Sequence, residues 1–281
     1  MINFNGKLVQ DSEVITNENR GYKYGDAVFE TIKVVHGKLL FWEDHYFRLM
    51  SAMRIMRMEI PMNFTMEFLE SEILKTLEAN DLLKSTARVR LNVDRGDGGK
   101  YLPHSTVIGY NIKTESFSQD FYTLQVDGEY TVDLYKDYYV SPDLLSTLKT
   151  NNKAINVLGS IYAAENGWQN CLLLNTNKQV VEALNGNIFL VKGETVKTPP
   201  LGDGCLKGVM RKQIIDVILN SGDYVLDESS ISPFELQKAD EIFITNVMFG
   251  IQPIMRYRKK TYATKISADI LRRLNLKLRL S

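Results

Sequence analysis

Hydrophobic and polar positions change period along the chain, and the changes mark its elements. Ile2–Phe4 and Leu8-Val9 flank Asn5-Gly6, a pair that tolerates positive φ and predicts a type I′ hairpin. Val28–Val35 is strand-like and returns through His36-Gly37-Lys38 into a strand at Leu39–Phe41. From 43 to 58, Tyr46, Leu49, Met50, Met53 and Met56 recur at three- and four-residue intervals, which predicts a helix. A second helix runs from a Thr65 cap to Asn80, with Phe68, Leu69, Ile73, Leu74 and Leu77 inward. Thr86–Val93 and Thr106–Ile112 alternate like strands around the loop Arg95–Tyr101.

The pattern continues with strands near 121–133, a helix over Asn151–Glu165, and strands at 170–175, 179–183, 187–192 and 194–198. A helix at 208–220 and a strand at 223–228 precede Ser232-Pro233-Phe234-Glu235, a capping box with proline at the first helical position. Strands at 241–245 and 251–257 lead to a C-terminal helix. Strands and helices without strict βαβ alternation predict an α+β protein. The polar run near 113–120 divides it into a small α/β domain (1–115) and a larger domain (120–281). The basic residues of the last helix alternate with Ile270, Leu271, Leu274 and Leu278, as on a solvated face opposite an apolar stripe.

Bulk composition narrows the partners. Lysine plus arginine and aspartate plus glutamate each number 34, so a chain of zero formal net charge offers no field for nucleic acid or an anionic membrane. No apolar run reaches the roughly 20 residues that cross a bilayer. Residues 1–7 lack the layout of a signal peptide, which points to the cytoplasm. Cys171 and Cys205 fit no zinc spacing or disulfide framework, and His36, His45 and His104 are too scattered for a metal site.

Three features carry chemistry together. Lys149 lies before an amphipathic helix, on a shoulder where Pro142–Leu148 lean apolar and Thr150-Asn151-Asn152 supply capping residues. Burial there activates its amine; Lys153, inside the helix, is the rival. Glu182 is an isolated acid after a strand, and Pro199–Arg211 is a loop punctuated by Gly202, Gly204 and Gly208 that feeds a helix. Each is ordinary alone: a surface lysine, a solvated acid, a common loop. In this order they are the parts that hold pyridoxal phosphate. The lysine forms the Schiff base, the acid keeps the pyridine nitrogen protonated, and the amides of Val209 and Met210 receive the phosphate. Thr245-Asn246-Val247-Met248 is a second phosphate loop, and Arg48 on the first long helix can add a guanidinium.

The residues resemble the class-IV aminotransferases, a family that includes branched-chain and D-amino-acid aminotransferases and aminodeoxychorismate lyases. The resemblance runs through Arg20–Thr31, His45–Leu49, Leu148-Lys149 with Asn156–Leu158, Glu182–Phe189, Pro199–Arg211 and Asp240–Ile254. It implies a two-domain fold of type IV with a pseudo-barrel larger domain that carries the lysine, a homodimer, and cofactor at the domain interface. It also implies Lys149 as catalytic base and Schiff-base lysine, with Arg48, Glu182, Val209, Met210, Val247 and Met248 on the cofactor. Phe29, Lys100 and Tyr101 are the candidates on the substrate side.

Ala27 stands where the family usually has glycine, and Met210 where it usually has threonine. Arg95-Gly-Asp-Gly-Gly-Lys100-Tyr101 resembles the lyases' loop but carries lysine for its second arginine, a point charge in place of a bidentate fork. This loop and Asn246 tilt the expectation toward release of pyruvate from aminodeoxychorismate, with 4-aminobenzoate as product. Transamination of a branched-chain or D-amino acid is the alternative. A non-catalytic protein that binds the cofactor is a third reading, opposed by the presence of both Lys149 and Glu182.

Overall fold

A computed structural model describes residues 1–10, 15–126 and 128–280. The chain divides into two compact units, 1–120 with 149–152, and 121–148 with 153–281.

The first unit opens with β1 (Ile2–Phe4) and β2 (Lys7–Val9), paired through Asn5 and Gly6, whose φ values of 49° and 84° give the expected hairpin turn. The short helix α1 (Arg20–Tyr24), capped by Asn19, leads into β3 (Ala27–Val35) and β4 (Lys38–Leu39). Leu39–Phe41 is less strand than expected, because Phe41 turns left-handed to start α2 (Trp42–Ile55). That helix stops three residues before the expected 58. Thr65 caps α3 (Met66–Glu78) by accepting from the Phe68 amide at 3.2 Å. β5 (Thr86–Arg95) and β6 (Ile108–Ser116) complete an antiparallel sheet of order β2-β1-β6-β5-β3-β4. α2 packs on β3 and α3 on β6, burying Leu49, Met53, Ile73, Leu77, Val89 and Leu91. Residues 113–116 are therefore strand rather than link, and the division falls after Asp120.

In the second unit no ladder runs through the described part of 121–130; Asp127, within the expected strand, lies outside the described residues. Tyr122 is held instead by side chains: Asn275 Nδ2 donates to its carbonyl at 2.8 Å, and its hydroxyl donates to the Val247 carbonyl at 2.7 Å. β7 (Thr131–Val140) follows, then α4 (Ala154–Glu165), β8 (Asn170–Asn175), β9 (Val180–Ala183), β10 (Gly186–Lys192) and β11 (Thr195–Thr198). Next come α5 (Val209–Ser221), β12 (Val225–Glu228) and α6 (Pro233–Leu236), the last with the expected capping box. β13 (Glu241–Asn246), β14 (Gly250–Ile254), β15 (Arg256–Tyr257), β16 (Lys260–Thr261) and α7 (Lys265–Leu280) close the chain. The ten strands form one branched sheet. β10 pairs with β9 at its start and β11 at its end, and β13 runs along it and continues the sheet to β14.

Two expectations around Lys149 change. The helix begins at Ala154, not Asn151, because Asn151 donates to the Ala27 carbonyl at 3.0 Å and Thr150 bridges Val28. These bonds also place Lys149–Asn152 with the first unit rather than with the larger one, and Lys153 is the helix's N-cap. Within Pro142–Leu148 only Leu148 is buried; Asp143, Leu144 and Leu145 are exposed and the rest half-buried. The apolar face of α4 is exposed as well: Val157, Leu158 and Ile161 are 56, 42 and 51 % accessible. The helix seats on the sheet through its small residues, Gly159 and Ala163. A Cβ at Gly159 would stand 2.4 Å from Leu184.

Candidate active site

Lys149 is fixed by backbone bonds before its side chain makes any contact. Its carbonyl accepts from the Phe29 amide at 2.9 Å, which continues the β3 ladder with the Thr150 bridge. Its Nζ stands 4.5 Å from the centre of the Phe29 ring. The Arg90 guanidinium on β5 is stacked 3.8 Å from the same ring centre. Arg90 donates to the amide oxygens of Asn92 at 3.1 Å and Asn151 at 3.3 Å. Burial pushes its pKa down, with Arg88 adding to the effect. Pattern reading missed Arg90; its signal was a second arginine in Arg88-Val-Arg90-Leu, half-buried between the fully buried Val89 and Leu91 of a central strand.

Arg48 is not a solvated helix arginine like Arg54 and Arg57, which are exposed. It lies against Glu30 of β3, donating from Nε to Oε1 at 2.8 Å and from Nη2 to Oε2. His45, one turn earlier on α2, joins Glu30 through Nδ1 at 2.6 Å. Glu30 and His45 were not among the expected site residues. Their sequence signal was the His45-x-x-Arg48 spacing, which sets both on one helical face.

The Arg95–Tyr101 loop has a different internal logic from the one its resemblance implies. Arg95 is buried and structural: it donates to Asp26 at 2.9 and 3.2 Å, to the Arg57 carbonyl at 2.8 Å and to the Met56 carbonyl. Arg20 donates to Asp26 at 2.9 Å and gathers the loop through the carbonyls of Gly98, Lys100 and Tyr101. Burial raises the Asp26 pKa, but the two guanidinium groups outweigh it and hold the carboxyl below the usual range. Lys100 is exposed at the tip, and Tyr101 is 91 % accessible, its ring 5.9 Å from Tyr24.

In the second unit, residues directly opposite on adjacent strands share a face of the sheet. Glu182 faces Asn187, and Asn187 faces Thr245, so the three form a row across β9, β10 and β13. Glu182 Oε2 accepts from the Leu206 amide at 2.9 Å, and Asn187 Nδ2 donates to the Leu206 carbonyl at 2.8 Å. The glycine loop is thereby fastened at Leu206 on both sides, its amide to Glu182 and its carbonyl to Asn187. Gly208 is the N-cap of α5 and sits so close that a Cβ there would lie 2.0 Å from Asn187 Oδ1. No side chain caps α5, and the amides of Val209 and Met210 occupy its first turn, where an anion is favoured. The Met210 side chain is buried in the core, so its departure from threonine adds no hydroxyl. In the second loop, Asn246 Oδ1 accepts from the Met248 amide at 2.9 Å and the Phe249 amide at 3.2 Å. Met248's amide thus shapes the turn, and the loop's phosphate expectation rests on Val247. Thr245 Oγ1 is buried and without a hydrogen-bond partner in the same row as Glu182.

These residues fit pyridoxal phosphate: an orphaned hydroxyl beside an acid on one face, a helix terminus opened by a glycine that admits no Cβ, and a lysine beside an aromatic ring. The fold is that of the type-IV aminotransferases. The chain belongs to the class-IV aminotransferases: the family described as Amino-transferase class IV matches residues 27–257, and its members use pyridoxal phosphate. A putative branched-chain-amino-acid aminotransferase from Methanocaldococcus jannaschii is 29 % identical over 99 % of this chain and 95 % of its own length. An aminodeoxychorismate lyase from Vibrio harveyi is 27 % identical over 84 % of each. A branched-chain aminotransferase from Thermoproteus uzoniensis has the same fold, with a TM-score of 0.87 at 23 % identity over 97 % of this chain and 92 % of that one. No helix among the described residues is long and apolar enough to cross a membrane.

Proposed function

We propose that this enzyme acts on a primary amine that bears carboxylates, and that its reaction is release of pyruvate from 4-amino-4-deoxychorismate to give 4-aminobenzoate. The substrate class rests on one observation: Lys149 and Arg90 flank the Phe29 ring, and Arg90's hydrogen bonds there go to neutral amide oxygens. An arriving carboxylate would supply the counter-charge that this partly buried guanidinium meets only at a distance.

The bound cofactor supplies an electron sink for charge released at the substrate carbon. Lys149 would tether it, and the same amine would move the proton at the substrate's amine-bearing carbon as general base. Glu182, whose carboxylate is oriented by the Leu206 amide, would supply the negative charge that keeps the ring nitrogen protonated. Arg48, the amides of Val209 and Met210, and Val247 receive the phosphate, with Met248 shaping the turn. Phe29 lies against the substrate. Lys100 and Tyr101 act from the loop tip, where Lys100 attracts a second carboxylate as a point charge. That loop supports elimination, since aminodeoxychorismate carries two carboxylates.

Transamination is the second reading, supported by the Methanocaldococcus relative's near-complete coverage. We also infer a cytoplasmic homodimer. The apolar patch of Leu144, Leu145, Val157, Leu158 and Ile161 supports the second copy, and two buried free thiols suit a reducing compartment. Sedimentation would test the assembly, and a monomer would refute it.

The purified protein should show a visible Schiff-base absorbance band that Lys149→Ala abolishes. An unchanged band would move the linkage elsewhere, with Lys153 first in line. 4-Aminobenzoate formation should then be assayed beside amino transfer from leucine, glutamate and D-alanine to a keto acid. Amino transfer without 4-aminobenzoate overturns the lyase reading.

A further inference from the structure

Glu30, His45 and Arg48 form a buried charged cluster whose parts have unequal roles. Glu30 and His45 are 1 and 0 % accessible, and the Arg48 side chain is 9 % accessible. Glu30 uses both oxygens: Oε1 accepts from Arg48 Nε, while Oε2 takes Arg48 Nη2 and His45 Nδ1. Burial is the largest influence on this carboxyl and pushes its pKa up. Arg48 and His45 together outweigh it and bring the value down to about 2, so Glu30 is ionised. His45 is pushed down by burial, against the pull of Glu30 and with help from the charges of Arg48 and Lys149. A neutral ring that donates through Nδ1 to a carboxylate has its lone pair on Nε2, and Nε2 is buried with no hydrogen-bond partner.

An unsatisfied buried acceptor is destabilising, and an apolar residue of similar shape would avoid that cost. The imidazole's contribution is directional instead. It holds Oε2 from one side, so the carboxylate meets Arg48 along the Nε edge. Gripped at Nε and Nη2, the planar guanidinium is held in one orientation, and its fork geometry is the kind that matches a phosphate.

We propose that Glu30 and His45 are positioning residues that hold the Arg48 guanidinium in the orientation in which it would meet the cofactor phosphate. The inference rests on the reading of Arg48 as a phosphate ligand. Neither residue touches the reacting atoms. Their effect is confined to the part of cofactor affinity that the phosphate supplies, and this separates positioning from general structural support.

The test compares apo-protein binding of pyridoxal phosphate with that of pyridoxal, which lacks the phosphate, by absorbance titration. Arg48→Met should remove most of the preference for the phosphorylated ligand. His45→Leu should weaken pyridoxal phosphate about tenfold and leave pyridoxal unchanged. His45→Asn, whose amide can donate to Glu30, should recover affinity to within about twofold. His45→Leu added to Arg48→Met should cause no further loss, because residues acting through one group are not additive. Equal weakening of both ligands by His45→Leu, or full additivity with Arg48→Met, overturns the proposal. A preference that survives Arg48→Met refutes the phosphate reading itself and the proposal with it. Should His45→Leu fail to fold, Glu30→Gln, which keeps the shape and drops the charge, is read in the same way.

Discussion

The Phe29 amide donates to the Lys149 carbonyl at 2.9 Å, and the side-chain nitrogen of Lys149 stands 4.5 Å from the centre of Phe29's own ring. One residue thus fixes the lysine twice, through the strand ladder and through its aromatic face. The other charged contact of that ring is Arg90 at 3.8 Å. Phe29→Leu keeps the ladder bond and most of the buried volume but removes the face. A lost cation–π contact should raise KM for carboxylate substrates roughly threefold to thirtyfold, with the Schiff-base band retained. Steady-state kinetics would check this, and an unchanged KM would remove Phe29 from the substrate side.

Glu182 holds the Leu206 amide and, in the proposed mechanism, also charges the ring nitrogen, and substitution can separate the two. Glu182→Gln keeps an oxygen for the Leu206 amide, now 2.9 Å away, but carries no charge toward the ring nitrogen. Thermal stability should change by less than about 1 kcal/mol, while kcat falls by two orders of magnitude or more, on the order of a lost catalytic electrostatic contact. Glu182→Ala should lower kcat similarly and also loosen the loop, read as weaker cofactor retention on dialysis. Equal retention by the two variants would sever the acid from the loop.

Much of this was legible in the chain. Periodicity located nearly every element because apolar buried positions recur at strand spacing in β5 (Ala87, Val89, Leu91, Val93) and at helical spacing in α3 (Leu69, Ile73, Leu77). The order Lys149, Glu182, glycine loop pointed to the cofactor because its three chemical needs are distinct, and the family match bears that cofactor out. Local pattern carried no information about long-range pairing. Thr150 and Asn151 read as helix caps, but the edge of β3, more than 120 positions earlier, claims their backbone. Val157, Leu158 and Ile161 have the spacing of a buried face, and spacing cannot tell a core from a surface that meets another chain. Arg95 read as a ligand-loop residue because Asp26, Met56 and Arg57, which take all its described hydrogen bonds, are remote in sequence. Arg90 was missed for the converse reason: its setting is made by Phe29 and Asn151.

Acid should unfold the first unit through Glu30. Its carboxyl titrates near 2 in the folded protein against an ordinary 4.5. As pH falls, the unfolded chain takes up this proton first. The stability from ionised Glu30 is therefore complete above pH 4.5 and is lost progressively down to about pH 2, about 3 kcal/mol in all. Glu30→Gln removes the titration and should flatten the fall of the urea midpoint between pH 5 and 2.5, at the expense of a lower plateau at pH 7. A parallel decline in wild type and variant would assign the acid sensitivity to other carboxyls.

Asp94 works in the opposite direction. It is buried on β5, accepts from Asn19 Nδ2 at 2.8 Å, and lies near the charges of Asp97 and Asp26. Burial chiefly, with those like charges, outweighs the Asn19 bond and pushes its pKa up to about 6 from 3.8. The folded protein therefore holds this proton while the unfolded chain has already released it. Stability is fully present below pH 3.8 and falls as pH rises through about 6, after which the ionised carboxylate is a constant penalty. Asp94→Asn keeps an oxygen for Asn19 and removes the charge. It should raise stability at pH 7.5 by about 1–3 kcal/mol and leave it nearly unchanged at pH 4. Denaturant melts at the two pH values decide it. An equal gain at both would mean that packing, not ionisation, is what the substitution relieves. A loss at pH 7.5 would mean that the carboxylate is stabilised where it stands, next to the Arg20–Asp26–Arg95 cluster that builds the loop.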